Sequence, residues 1–192
     1  MNAIRNLLAV VGLCALLGLG YAAWKIGPPL SGFDPEFGAT YLAFADRLLD
    51  SGDPGVAMML SVPVQAGLEP EEVIASMKSI ASARNFLFVG ESPFYRQIEA
   101  ITGEPYRYVN FLSFCDARVG RQMLEYRNEY SGFMPCRIAL VENADGSFSL
   151  HTLNLDLMIH GGRALPPELK ASAIRVRDTI QAIMLGAAAG EF

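Results

Sequence analysis

The sequence contains few of the residues that form covalent cross-links or carry catalytic chemistry. Among its 192 residues are 3 cysteines, 2 histidines and 1 tryptophan. Three cysteines are too few for the disulfide framework of a small secreted domain, and a chain of this length can bury a core without one. Lys and Arg number 15 against 20 Asp and Glu, which gives a formal net charge of −5. Because phosphate binding requires a basic surface, this acidic balance argues against a nucleic-acid partner.

Motifs for common reactions are also missing from the sequence. It has no G-x-S-x-G elbow, no phosphate loop and no dinucleotide-binding glycine fingerprint. Because no recognisable reaction motif occurs, the sequence favours a protein that is not an enzyme, and we predict no catalytic residue. An enzyme with an unrecognised pocket is a weaker interpretation that stays open.

Charge is absent from one long run near the amino terminus. Residues Leu7–Trp24 are eighteen uncharged positions bounded by Arg5 and Lys25. A helix of that length measures ~27 Å, close to the ~30 Å hydrocarbon core of a bilayer. We interpret the run as an uncleaved transmembrane anchor that contacts lipid through residues 7–24. A cleaved signal peptide is the alternative, although the apolar region of such peptides is usually only ~7–15 residues long.

The charges that flank this run predict the orientation of the protein. Arg5 and the terminal amine lie on one side, whereas Lys25 and an acidic stretch follow on the other. The positive-inside bias therefore places the amino terminus in the cytoplasm and the rest of the chain outside. For a bacterium, this predicts a single-pass protein of the inner (cytoplasmic) membrane with a periplasmic domain.

Turn residues divide the chain into three parts. Gly27-Pro28-Pro29 predicts the end of the anchor helix, so residues 1–33 are interpreted as anchor and linker. Residues 34–54 predict an amphipathic helix and turn, with Asp34 as the capping residue. This helix could pack on the domain or lie against the bilayer, and its acidic polar side favours the domain. Residues 55–192 predict the folded domain.

The pattern of the third part predicts an α+β domain. A largely antiparallel sheet is expected, with its helices on one face, because hairpins alternate with amphipathic helices. The clearest hairpin joins two apolar runs through Asp145-Gly146, which supplies the positive φ that such turns need. The predicted strands are residues 56–64, a short buried strand at 86–89, residues 106–115, 136–141 and 148–155. The predicted helices are residues 69–85, a helical turn at 93–101, a helix that begins at Asp116 and a last helix from 165.

Several local patterns in this domain resemble those of one family. Phe114-Cys115 precedes a helix, Met134-Pro135-Cys136-Arg137-Ile138 opens a strand, and Glu142 to Gly146 form a turn before Leu153 to Met158. On these features the stretch from Phe86 to Ile159 resembles the DUF302 family, whose function is undetermined. The chain departs from the frequent Cys-Asn-Pro of the family at Cys115-Asp116-Ala117. The resemblance implies a compact α+β domain with an antiparallel sheet, often dimeric, and no known reaction.

Two cysteines are the first candidate site residues. Cys115 ends one predicted strand and Cys136 begins another. If the strands are neighbours, the sulfurs could form a disulfide in an oxidising compartment. The alternative is a pair of buried free thiols that pack as small apolar groups.

A wider set of soft and borderline ligands forms a second hypothesis. It suits copper, zinc or haem iron, although no metal-ligand spacing is present and no cofactor is predicted outright. The set comprises Cys115, Cys136, His151, Met158 and His160, together with Met134.

The sequence thus predicts a membrane-anchored, non-enzymatic binding module or accessory subunit of a membrane complex. Its expected partner is another protein or a second copy of itself. Tyrosine and arginine, which are enriched at interface hot spots, occur together in the domain, although core packing explains them equally well. A redox or metal- or haem-handling protein that uses Cys, His and Met ligands is the alternative function. The tyrosines and arginines concerned are Tyr95, Tyr106, Tyr108, Tyr126, Tyr130, Arg96, Arg107 and Arg127, with Phe111 among them.

Overall fold

The computed structural model describes residues 2–192. For residues 2, 26, 28 and 29 it describes the backbone but not the side chains. Five strands and eight α-helices follow one another along these residues. The strands are β1 (Met59–Pro63), β2 (Leu87–Pro93), β3 (Val109–Cys115), β4 (Cys136–Glu142) and β5 (Phe148–Leu153). The helices are α1 (Asn2–Leu30), α2 (Phe37–Ser51), α3 (Pro54–Ala57), α4 (Pro70–Ala83), α5 (Phe94–Thr102), α6 (Ala117–Tyr126), α7 (Asp156–His160) and α8 (Pro167–Ala188), with a 3-10 turn at Asn128–Phe133.

The long amino-terminal helix α1 is exposed along nearly its whole length. Its segment Ala3–Lys25 is long and apolar enough to cross a membrane, a criterion that a signal sequence near the amino terminus also meets. The prediction that Gly27-Pro28-Pro29 ends the helix is wrong, because α1 continues to Leu30. Each proline removes only one backbone donor, and apolar helices tolerate this loss near an end.

The five strands form one antiparallel sheet in the order β1-β5-β4-β3-β2. Successive side chains of each strand point to opposite faces of the sheet. On one of these faces Leu112, Ile138, Leu140 and Leu150 are completely buried. Helices α4 and α8 cover this face and complete the main core. The predicted α+β class, with helices on one face of an antiparallel sheet, is therefore confirmed.

The hairpin between β4 and β5 forms as the sequence predicts. Gly146 has a φ of 83°, a conformation that glycine adopts without strain. The side chain of Asp145 also accepts a hydrogen bond from the backbone N–H of Ser147 at 3.0 Å. This turn sets the register that places Leu140 opposite Leu150 in the core.

Strand β2 differs from its prediction as a short buried strand. It runs to Pro93 and lies at an edge of the sheet, paired only with β3. Leu87 is 57% exposed and Val89 is 50% exposed. The prediction is wrong because an apolar run indicates a strand but does not reveal whether the strand has one neighbour or two.

Helix α2 packs on the domain, against α7. The linker before it pairs with the loop after α7, where the backbone N–H of Asp34 donates to the carbonyl of Gly162 at 2.9 Å. Phe33 and Arg163 form an isolated β-bridge beside this bond. Asp34 is not the capping residue of the helix as predicted: α2 begins at Phe37 with Glu36 at the cap position. The Asp34 carboxylate accepts a hydrogen bond from the Glu36 N–H at 3.0 Å and also contacts His160 and Lys170.

Candidate functional site

The sulfur pocket is a cavity between the sheet and helices α6, α7 and α8. It holds about 40 Å³ and is lined by two cysteines and three methionines among mostly apolar residues. None of the described residues that line it is Lys, Arg or His. We define the sulfur pocket by Cys115, Met123, Met134, Cys136 and Met158.

The fold brings these sulfurs together from four places in the chain. Strand β3 ends at Cys115 and the neighbouring strand β4 begins at Cys136, which lies opposite Phe114 in the register. Met123 belongs to α6 and Met158 to α7, and Met134 follows the 3-10 turn. The condition set for a disulfide, that the strands of Cys115 and Cys136 are neighbours, is met.

Gly120 on α6 leaves room for two of the sulfurs. A Cβ at this position would stand 3.2 Å from Met134 Sδ and 3.8 Å from Cys115 Sγ. The two sulfurs therefore converge on the same point of α6, which a side chain would occupy. Helix α6 is held in place at its start, where the Asp116 carboxylate accepts hydrogen bonds from the N–H groups of Arg118 and Val119 at 2.9 and 3.4 Å.

Both cysteines of the pocket are free thiols in the structure. Burial, and to a smaller extent the nearby Cys115, raise the pKa of Cys136 to about 11. Burial, and then the charge of Asp116, raise the pKa of Cys115 as well. Both thiols are consequently neutral near pH 7, and the disulfide between them stays an untested alternative to the free thiols.

The two histidines of the predicted ligand set do not line the sulfur pocket, although His151 shares a separate hollow of about 380 Å³ with Met134 and Cys136. His151 lies on β5, on the sheet face away from α4 and α8, where its Nδ1 is 2.8 Å from Ser61 Oγ. Burial lowers the pKa of His151. His160 ends α7 and is buried beside Asp34. Four of the six predicted ligands thus line one pocket, whereas both histidines are absent from it.

The Asp34 cluster, defined by Asp34, Glu36, His160 and Lys170, is a second buried group. Lys170 Nζ donates to Asp34 Oδ2 at 2.5 Å, and His160 Nδ1 is 3.1 Å from Asp34 Oδ1. Burial by itself raises the pKa of Asp34, but hydrogen bonds from Lys170, the Glu36 N–H and His160 outweigh it and lower the pKa from 3.8 to about 2. His160 Nε2 is buried with no hydrogen-bond partner among the described residues.

The Asp34 cluster has donors for a metal ion but already contains a cation. Single ligand atoms of Asp34, Glu36 and His160 lie within 4.8 Å of one another. However, the ammonium group of Lys170 already neutralises the carboxylate that a metal ion requires. We therefore interpret this cluster as a structural lock between the linker and α8.

The edge patch is an exposed apolar surface next to the sulfur pocket. Beside β2 lies an open hollow of about 740 Å³ whose apolar lining includes Val89, Leu124, Met134 and Pro135. Leu87 pairs with Cys115, which also lines the hollow. We define the edge patch by these four apolar residues and Leu87.

Part of the predicted tyrosine and arginine group lies along β2 and α5. Tyr95 stacks on Tyr108 with ring centroids 4.9 Å apart, and Arg96 Nε donates to Tyr95 Oη at 2.9 Å. The buried Asn110 donates to Glu91 at 2.8 Å, and this bond is the largest cause of the lowered pKa of Glu91. The Tyr95–Tyr108 contact packs α5 against the start of β3, and the Asn110–Glu91 bond ties β2 to β3.

Met123 was not among the predicted ligands, although it lines the sulfur pocket. Val119 and Met123 are spaced to share one face of α6, and both are buried. That spacing does not distinguish a methionine that packs in the core from one whose sulfur faces a cavity. The sequence feature that could have indicated Met123 as a pocket residue is that its helix begins directly after Cys115.

Comparisons with known proteins identify a family and a fold. The model of the family described as "Domain of unknown function DUF302" matches residues 60–186. No curated protein matches the chain. One solved structure, the crystal structure of an uncharacterized conserved DUF302 protein from Bacillus stearothermophilus, has a TM-score of 0.54 and 15% sequence identity, and the match covers 66% of this chain and 95% of that chain. At this identity the likeness shows the fold alone.

Proposed function

The chain belongs to the DUF302 family, and from that premise we propose that it is a membrane-anchored, non-enzymatic binding module or accessory subunit of a membrane complex. The family describes a domain and no reaction, so the proposal depends on the surfaces of this chain. Its partner is another protein or a second copy of the chain. The observation that carries the proposal is the edge patch.

An exposed apolar edge strand is uncommon in a protein that works alone. Free edges are usually blunted with charges, and apolar surface beside them marks sites of association. In the edge patch, Leu87 and Val89 expose half or more of their surface, and Leu124 exposes 42%. The opposite edge, β1, ends instead at Pro63, and prolines are typical of edges that do not pair.

The apolar helix α1 supports the location that we propose. Its segment Ala3–Lys25 has the length and composition of a membrane span. With Arg5 on its amino-terminal side, the charge bias favours a cytoplasmic terminus and a periplasmic domain at the inner membrane. A reporter fused after Phe192 tests this orientation, and a cytoplasmic carboxyl end would contradict it.

Photo-crosslinking in the source membrane tests the partner. A photoreactive amino acid replaces Val89 in the edge patch, and a control replaces Ser61, which is also exposed but lies on the β1 edge. We expect one discrete protein adduct, or a dimer of the chain, from position 89 only. If position 89 gives no adduct, or if both positions give the same products, the edge patch is not a docking surface and the proposal fails.

A redox or metal-handling role is the second candidate function, and one observation favours it. The fold gathers Cys115, the neighbouring residues Met134 and Cys136, and Met158 around one cavity, although 43 residues of sequence separate the first from the last. Elemental analysis of the protein from its native membrane tests this candidate. Protein that contains no metal and binds none when reduced would contradict it.

A further inference from the structure

We propose that the sulfur pocket binds one monovalent soft cation, copper(I), through the sulfur atoms of its cysteines and methionines. This inference depends on the second candidate function and gives it a specific ion. It does not depend on the edge patch as a docking surface.

The donor atoms of the sulfur pocket select for a soft ion. Thiolate and thioether sulfurs together favour copper(I), whereas zinc is held by thiolate, imidazole or carboxylate ligands and not by the thioether of methionine. The carboxylate of Asp116, the only acidic residue in the described lining, is engaged as the cap of α6. With both histidines elsewhere, sulfur is the only soft donor that the pocket offers.

The size of the cavity suits an ion without its water shell. A volume of about 40 Å³ exceeds the ~10–15 Å³ that one water molecule needs. Pockets for organic ligands typically measure ~300–1,000 Å³, so the macrocycle of a haem does not match this cavity. The sulfur pocket has room for one metal ion.

The charge of the surroundings favours a monovalent ion. Because the lining is almost entirely apolar, a site with net charge is costly there. Copper(I) replaces the proton of one cysteine thiol, the S–H bond gives way to an S–Cu bond, and the proton leaves to solvent. The resulting copper thiolate is neutral, and methionine sulfurs complete the coordination without adding charge. A divalent ion requires both cysteines to lose their protons.

The edge patch provides the access route. Cys115, Gly120 and Met134 line both the sulfur pocket and the open hollow beside β2. Cys115 and Met134 therefore lie on the side from which an ion enters, and Cys136 and Met158 lie deeper. Gly120 keeps the passage between them free of a side chain.

Competition titration with a chromophoric copper(I) chelator tests the proposal. The full chain in detergent carries Cys14→Ser throughout, so that the thiol in α1 does not contribute, and it is kept reduced and free of oxygen. We expect one copper(I) per chain, with the ultraviolet absorption of a copper thiolate and with copper surrounded only by sulfur in X-ray absorption spectra. Cys136→Ser and Met134→Leu should each weaken binding at least tenfold.

Two matched controls separate the pocket from general effects. Met59→Leu removes an exposed methionine on β1, and His151→Ala removes a histidine of the original ligand set. Both should bind copper(I) as the parent does. Met158→Leu, which nearly conserves volume, gives a further test if Cys136→Ser fails to fold, and it too should weaken binding.

Three outcomes would overturn the copper proposal. The first is copper(I) affinity that is the same in the parent and in a Cys115→Ser, Cys136→Ser double variant. The second is zinc(II) bound at the same cysteines more tightly than copper(I), which would leave metal handling intact and reject the monovalent ion. The third is no metal bound at all, which would reject the second candidate function as well.

Discussion

The Asp34 cluster and the sulfur pocket are both buried groups of chemically reactive side chains, and they differ in whether their atoms have partners. In the Asp34 cluster, the linker, α7 and α8 each contribute a group, and Lys170 and His160 satisfy both oxygens of Asp34. In the sulfur pocket, five sulfur-bearing residues face a cavity, and both thiols are free. The fully bonded carboxylate of the Asp34 cluster stabilises the fold, although His160 Nε2 has no hydrogen-bond partner among the described residues. A cluster in which none of the soft donors is engaged retains the capacity to bind. Variants at the two places should therefore have opposite consequences.

The largest effect is expected when the Asp34 cluster loses its cation. Lys170→Met leaves the Asp34 carboxylate buried without its compensating charge, and we expect unfolding free energy to fall by about 3 kcal/mol. Denaturant unfolding in detergent measures the change.

Lys78→Met is the matched control for this variant. Its pair with Glu91 has the short N–O distance of 2.9 Å, but its side chains are 38% and 33% exposed. Solvent screens such a pair, so we expect a loss of about 0–1 kcal/mol. Equal losses in the two variants would show that the Asp34 cluster is not a lock.

The Asp34 cluster should also make the free energy of unfolding depend on pH. Because the folded pKa of Asp34 is lowered from 3.8 to about 2, its contribution is fully present above pH 4 and is lost as the pH falls toward 2. A shift of this size corresponds to about 2 kcal/mol. Thermal unfolding between pH 2 and pH 6 should show this loss in the parent, and Asp34→Asn should lack it. A parent profile that parallels that of Asp34→Asn would contradict the assignment.

The methionines of the sulfur pocket should matter little for folding. Met123→Leu and Met158→Leu nearly conserve volume, so we expect each to lower unfolding free energy by less than about 1.5 kcal/mol. Leu140→Ala, a truncation in the main core, should cost about 2–5 kcal/mol under the same conditions. Losses as large as that of Leu140→Ala would show that the sulfurs are needed for packing and would remove the contrast with the Asp34 cluster.

The smallest effect concerns the reactivity of the thiols and leaves stability unchanged. Denatured, unreduced protein should show three titrating thiols, because Cys14, Cys115 and Cys136 are all free. In the folded protein, Cys115 should react faster than Cys136, since it also faces the open hollow of the edge patch. A single titrating thiol would instead establish the disulfide between Cys115 and Cys136.

The sequence predicts features that depend on neighbouring residues better than features that depend on distant ones. The turn at Gly146 and the cap at Asp116 are local, and both form as predicted. Asp34 has the local signature of a helix cap, yet its partners His160 and Lys170 lie 126 and 136 residues away in sequence. No local pattern contains that information.

The candidate site shows the same limit. The apolar run at Leu87 to Val89 predicts a strand, whereas its position at the edge follows from the order of all five strands. Cys115 and Cys136 are brought together by the pairing of two predicted strands, so that part of the sulfur pocket could be predicted. His151 and His160 share a borderline donor chemistry with the cysteines, but one lies on the opposite face of the sheet and the other beside Asp34.

The short linker of residues 31–33, which the Asp34 cluster holds against the domain, also limits how far the domain can lie from the bilayer. Only residues 31–33 separate the end of α1 from Asp34, and three extended residues span about 10 Å at most. If α1 is the anchor, the domain cannot swing out on a long tether and explores only the water layer next to the lipid head groups. A protein or metal donor that reaches it must therefore present its own contact surface within that thin layer.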